Sequence, residues 1–349
     1  MTAILTRRSL ICVAGAGGAS LMLGRAKAAA MEGRAIYPVA VSIYQAQFVA
    51  DRGGFFKEAG LDCKMTQGGN GVKTRELVAS GQGDIGIGDV THPMQLANRG
   101  RAGRVLMPVD TRNNGVLFII RKDLADAGID TLQKFADWKR PDGRKPIIGV
   151  SSIGGTNHVW GSYYMEQLDL DRKVTWVGAG DVETMLGTLK TKQIDLLVNS
   201  PSLLRDATER GWGALLYNGS SEENWNKVIG GKVPATSHFT IQATINKDPP
   251  KIQAFVTALW RATQWIKSHS PEEIFEVVEP FLGSTSRESN LFEIGIMKGI
   301  TDFDGIVDPA SFARGSKVWF REMTGIKPLT VEQVVVPSFV EAAKKQFPA

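Results

Sequence analysis

Between residues 36 and 217, short β-rich runs alternate with helical runs, and the connectors between them are only a few residues long. Strand–helix alternation with connectors this short implies parallel strands and right-handed crossovers. In the first set, strands are expected over 36–42, 61–67, 84–88 and 104–110, with helices over 45–59, 71–80 and 91–99. Phe48, Val49, Phe55 and Phe56 give the first helix its apolar spacing, and Gly60 supplies a stop. A second set begins near residue 121, with strands over 146–150, 174–177, 194–198 and 214–217 and helices over 156–168, 182–190 and 202–210. Extended runs over 115–121 and 237–246 flank this set and suit two hinge strands that cross between lobes. From residue 250 onward the pattern is mostly helical, and Phe255, Trp260 and Trp265 lie at core spacings. The expected architecture is α/β, with lobe II (119–239) inserted into lobe I (31–118 and 240–349).

The first thirty residues address a compartment. Thr6-Arg7-Arg8-Ser9 opens a basic start, an apolar Gly/Ala-rich run follows from Leu10 to Leu23, and the stretch closes on Ala26-Lys27-Ala28 and Ala28-Ala29-Ala30. That order describes a cleaved export signal. The paired arginines fit the twin-arginine route, although Leu10 stands where Phe is commoner. The apolar run is too short and too rich in glycine to span a bilayer, and no later run reaches that length. A lipoprotein reading of Cys12 meets a bulky Ile11 where a small residue is wanted.

Removing residues 1–30 takes away Arg7, Arg8, Arg25 and Lys27 and no acid, so the formal charge falls from +5 to about +1. A nearly neutral chain lacks the concentrated cationic face of a nucleic-acid binder. Only Cys63 remains, so no internal disulfide can form and stability must come from a packed core. The expected product is a periplasmic monomer with no stable membrane insertion.

The common catalytic constellations are missing. His92, His158, His238 and His269 show no His-Glu-x-x-His spacing, and one cysteine cannot build a metal cluster, so no metal and no cofactor is expected. Gly86-Ile87-Gly88 lacks the third glycine of a dinucleotide fingerprint. Gly230-Gly231-Lys232 is followed by Val233 and not by the Ser or Thr of a phosphate loop. Gly149-Val150-Ser151-Ser152-Ile153 misses the nucleophile elbow by one position. No catalytic residue is assigned.

In open α/β sheets, ligands sit beyond the carboxyl ends of the strands. Those ends carry Ser42, Tyr44 and Gln45 after the first strand, and Asp89, Val90 and Thr91 after the third. In the second lobe, Ser151, Ser152, Gly155, Thr156 and Asn157 join a strand to a helix, and Asn199 follows the 194–198 strand. Free N–H groups at a helix start favour anions, and Ser151, Ser152 and Thr156 add hydroxyls. Helix capping explains one such residue, though not a cluster of them. Asp89 either orients a donor on a ligand or caps the helix behind it. Tyr44 and Trp176 either stack on a flat ligand or belong to the core and rim. Arg52, Arg75 and Arg99 read as solvent-facing helix positions, so no pocket arginine is assigned.

Three motifs carry a family resemblance. Gly54-Phe55-Phe56-Lys57-Glu58-Ala59-Gly60-Leu61, Gln67-Gly68-Gly69-Asn70-Gly71, and Ser80-Gly81-Gln82-Gly83-Asp84-Ile85-Gly86 closing on Gly88-Asp89 occur in order. As a set they resemble the exported solute-binding proteins of nitrate/sulfonate/taurine-type ABC importers, a group related to thiamine-pyrimidine-precursor binding proteins. Ile148 through Thr156 is similar to the group's second-lobe anchoring loop. The resemblance implies a two-lobed, type II-like periplasmic binding fold that closes on a small molecule; the helix start at Thr156 motivates a sulfonate- or carboxylate-like anion, and with no pocket arginine assigned a neutral heterocycle stays open. It also implies delivery to an ABC permease and its ATPase, with contacts from Ser42–Gln45, Asp89–Thr91, Ser151–Asn157 and Asn199. The pyrimidine synthases of the group use a cysteine-rich motif that this chain lacks. A sensory module, or an enzyme on the same scaffold, is the alternative.

Overall fold

The computed structural model describes residues 30–97, 99–282, 286–321 and 327–349. Apart from Ala30, the expected export signal lies outside the described residues. Ten strands are present among them: β1 (Met31–Tyr37), β2 (Leu61–Gln67), β3 (Ile85–Asp89), β4 (Gly103–Pro108), β5 (Leu117–Arg121), β6 (Ile147–Val150), β7 (Thr175–Gly178), β8 (Leu196–Asn199), β9 (Gly213–Asn218) and β10 (Thr236–Ile241). They form two five-stranded sheets, ordered β2-β1-β3-β10-β4 and β7-β6-β8-β5-β9.

Both sheets are mixed. β1 is parallel to β2 and β3, and β6 is parallel to β7 and β8, as short crossovers demand. The antiparallel member of each sheet is the strand the chain enters after crossing: β5 between β8 and β9, and β10 between β3 and β4. The two crossing segments run beside each other. Val109 N–H donates to Thr236 O at 2.9 Å and Val233 N–H to Thr111 O at 2.9 Å.

Several elements differ from the expected ones. β1 starts at Met31 and not Ile36, because it pairs in step with β2 from Met31↔Leu61 to Tyr37↔Gln67. Gly33 masks this strand in the sequence; a Cβ there would meet the Phe255 ring at 2.8 Å. The expected helix over 45–59 is two, Gln45–Arg52 and Phe55–Glu58, broken where Gly54 adopts φ +77°. The extended run after β10 ends at Ile241, and Gln242–Lys247 is helical. The short helices Lys122–Asp126, Leu132–Asp137 and Glu222–Ile229 carry too few turns to show a period.

The C-terminal third divides its packing. Helix Pro249–Ser268 buries Phe255, Leu259 and Trp260 with Ala35, Ile85 and Ile87 of the first sheet. Helix Pro309–Trp319 instead buries Phe312 and Trp319 in a cluster with Trp160 and Trp225 from the second sheet's helices. That cluster also holds Val90, Met94 and Val105 of the first sheet's half, so one apolar core runs through both. The Trp160 and Trp225 rings lie 4.9 Å apart, and burying rings of this size is worth a few kcal/mol each, on the order of 25 cal/mol per Å².

Candidate functional site

The strand ends of the two sheets meet across a cleft. Two adjoining cavities, of about 280 and 240 Å³, share Asp89, Thr156 and Ala235 as walls. Between them stands a contact from one sheet's side to the other: Thr156 Oγ1–H donates to Asp89 Oδ2 at 3.0 Å. Asp89 Oδ1 takes the Thr91 N–H at 2.9 Å and the Thr91 hydroxyl at 2.6 Å. Asp89 therefore both holds the chain behind it and reaches over the gap.

The larger cavity contains a feature the sequence reading missed. Helix Gly71–Ala79 is capped by Asn70, whose Oδ1 accepts the Lys73 N–H at 2.8 Å. Its inner face carries Thr74, Arg75, Val78 and Ala79, all buried. Arg75 is only 5% exposed, lines the cavity, and leaves its Nε without a hydrogen-bond partner among the described residues. It is not a solvent-facing position. Burial holds its pKa below the ordinary arginine value, with Arg99 adding to the effect. A buried, unsatisfied guanidinium is costly, and an anion would relieve that cost.

Other walls of this cavity combine apolar surface with unused donors. Trp160 and Trp319 contribute rings, and Trp319 Nε1–H has no partner among the described residues. His92 lies edge-on to Phe239 at 5.7 Å with Nδ1 unpartnered, and desolvation lowers its pKa to about 4, so the ring is neutral. Among the described residues, Arg75 is then the single cation on these walls.

The smaller cavity is amide-rich, with Asn113, Asn114, Asn157 and Asn199 around Tyr44 and Asp110. Asn199 Oδ1 accepts the Ser200 N–H at 2.8 Å. Burial, then the charge of Asp89, raises the Tyr44 pKa, keeping its hydroxyl protonated. Asp110 is buried at the crossing, where Oδ1 accepts the Ala235 N–H at 2.6 Å and the Thr236 N–H at 3.3 Å. Desolvation pushes its pKa to about 7 against those two bonds.

Of the residues expected from sequence, Tyr44, Asp89, Val90, Thr91, Gly155, Thr156, Asn157 and Asn199 come together on these walls. Ser42 does not; it is buried and its hydroxyl donates to Glu293 Oε2 at 2.9 Å. Gln45 is buried off the cleft, with both amide atoms unpartnered. Ser151 and Ser152 face solvent outside both cavities. The anion cradle expected at Ser151–Asn157 is also partly occupied by the protein itself. Gly154 N–H donates to His158 Nδ1 at 3.2 Å, and Gly155 N–H to Ser152 O at 3.1 Å. Among the described residues no group of three or more His, Cys, Asp or Glu is placed to hold a metal, and no helix is long and apolar enough to cross a membrane.

The model of the NMT1-like family matches residues 39–280, more than half of the chain. The chain belongs to the NMT1-like family. This agrees with the resemblance carried by the motifs between Gly54 and Asp89. Among curated relatives of this family member is the Bacillus subtilis protein YtlA, named as a binding protein. It is 22% identical over 242 residues, 68% of this chain and 66% of its own, so the match spans just under two thirds of YtlA. Among solved structures, the periplasmic nitrate-binding protein NrtA of Synechocystis PCC 6803 aligns with a TM-score of 0.63 and 14% identity, covering 91% of this chain and 89% of that one. The periplasmic aliphatic sulphonate binding protein SsuA of Escherichia coli aligns with a TM-score of 0.65 and 12% identity, covering 87% and 96%. The fold of this NMT1-like chain is the two-lobed, type II-like periplasmic binding fold. An enzyme shares it: the desulfurization enzyme DszB aligns at 0.61 and 15% identity, over 90% of this chain and 99% of its own.

Proposed function

We propose that this protein is the periplasmic solute-binding component of an ABC importer, capturing a small organic anion between its lobes and passing it to a membrane permease. The lobes would be residues 31–118 with 240–349, and 119–239. The observation that carries the anionic ligand is Arg75, a guanidinium buried on the cavity wall with an unused Nε–H. A carboxylate or sulfonate placed there would gain charge-assisted bonds in a cleft that excludes water. The names of NrtA and SsuA, which bind nitrate and sulphonates on this fold, support the same reading.

Residues 31–349 screened by thermal shift against sulfonates, nitrate, aromatic carboxylates and neutral pyrimidines should be stabilised by one of the acids. At a hundredfold excess over the dissociation constant, the gain is about 2.7 kcal/mol. Arg75→Met should weaken that acid by about tenfold or more while the chain stays folded by circular dichroism. Unchanged affinity in the folded variant would refute the anion anchor. DszB gives the rival reading of an enzyme, and sustained turnover of the bound acid would favour it.

A further inference from the structure

The larger cavity carries opposite charges on its walls, both from the first sheet's half. Arg75 is its cation, and Asp89 is a carboxylate whose two oxygens are unequally committed. Oδ1 is taken by the backbone and hydroxyl of Thr91, two residues away in the chain. Among the described residues, Oδ2 is met only by Thr156 Oγ1 from the opposite side of the cleft, at 3.0 Å. A neutral hydroxyl is a modest partner for a carboxylate, and it arrives on a separate lobe. Any donor brought by a ligand competes for that oxygen directly. The cavity also has room for far more than an inorganic oxyanion. A water molecule's share of the liquid is about 30 Å³, and this chamber measures about 280 Å³ before the adjoining 240 Å³ chamber is counted. Val72, Val90, Val159, Trp160 and Trp319 make the remaining wall mainly apolar, which suits a carbon framework and not a hydrated ion.

We infer that the site selects an organic acid whose carbon body also carries a hydrogen-bond donor, an amine, amide N–H or hydroxyl. The acid group sits on Arg75, and the donor takes Asp89 Oδ2 in place of the Thr156 hydroxyl. This rests on the anionic reading above and narrows it: an acid without the donor leaves Asp89 with the Thr156 contact and gains nothing on that side. Discrimination follows because the half-buried Asp89 carboxylate gains a new donor from one ligand and keeps its weaker partner with the other.

The test is calorimetric titration of residues 31–349 with matched probes: benzoate against 4-hydroxybenzoate and 4-aminobenzoate, and benzenesulfonate against 4-aminobenzenesulfonate. The donor-bearing member of at least one pair should bind about tenfold or more tightly. Asp89→Asn should bring the pair to within about twofold, while Arg75→Met should weaken both members. Thr156→Val, which removes the competitor and leaves Asp89 intact, should keep or widen the preference. Equal binding of all matched acids, with Arg75→Met still weakening them, would overturn the two-point selection and leave the anion anchor standing. Failure of every acid to bind, or binding insensitive to Arg75→Met, would overturn the anion anchor and this inference with it. A preference that disappears in Thr156→Val would show that the donor does not replace the Thr156 hydroxyl.

Discussion

At the scale of single residues, the cleft shows why a cation can be misplaced from sequence. Arginine is rarely buried without a partner, so Arg75 reads as surface. Its neighbours at i−3 and i+3, Val72 and Val78, are apolar, and that stripe was the available signal. Asp89 and Thr156 were legible because strand ends were, whereas the commitment of Ser42 to Glu293 depends on a residue 251 positions away. Asp110 makes a pH prediction. Its pKa is raised from 3.8 to about 7 by desolvation first and by Asp302 last, so the folded state holds a proton the unfolded chain gives up. The associated stability is complete below about pH 4 and is lost as pH rises through 7. Across pH 4 to 7, urea unfolding should show the wild type losing stability relative to Asp110→Asn, with the difference levelling off above about pH 7. On the acid side the sign reverses. His238, fully buried with neither nitrogen partnered, has its pKa lowered to about 3 by desolvation. Its contribution is lost as pH falls from about 6.5 toward 3, opposing that of Asp110 where the two windows overlap, so it is read as the difference between the wild type and His238→Phe over pH 3 to 6.5.

At the scale of elements, helices of nine or more residues in the two alternating sets were legible, whereas Lys122–Asp126, Leu132–Asp137 and the eight-residue Glu222–Ile229 were not. Val182–Lys190 matches its expected bounds, with Asp181 accepting the Thr184 N–H at its start. The helix Pro309–Trp319 links an ordinary capping interaction to the site. Asp308 Oδ1 accepts the Ser311 N–H at 2.8 Å, and the far end of the helix delivers Trp319 to the cavity wall. Asp308→Ala should cost about 1 kcal/mol of stability by chemical denaturation. It should also weaken ligand binding measurably, since fraying loosens the wall; a loss of stability with unchanged affinity would separate the helix from the site.

At the scale of the whole molecule, the two-sheet plan followed from the alternation of strands and helices, and the crossing strands from the extended runs that flank the second set. What alternation does not encode is the path of the apolar core. Phe312 and Trp319 come from the C-terminal third, yet they pack with Trp160 and Trp225, and Val90 and Met94 join the same cluster. A core shared in this way couples the two halves energetically. Calorimetry of residues 31–349 should therefore give one transition, with calorimetric and van't Hoff enthalpies equal; two resolved peaks would show that the halves melt independently. The paired crossing segments have a mechanical consequence. A lone tether leaves a ball joint, free to swivel and to slide. Two ribbons zipped to each other at Val109–Thr236 and Thr111–Val233 make a door's double hinge, which would confine any swing of the walls to one arc and return them to the same alignment.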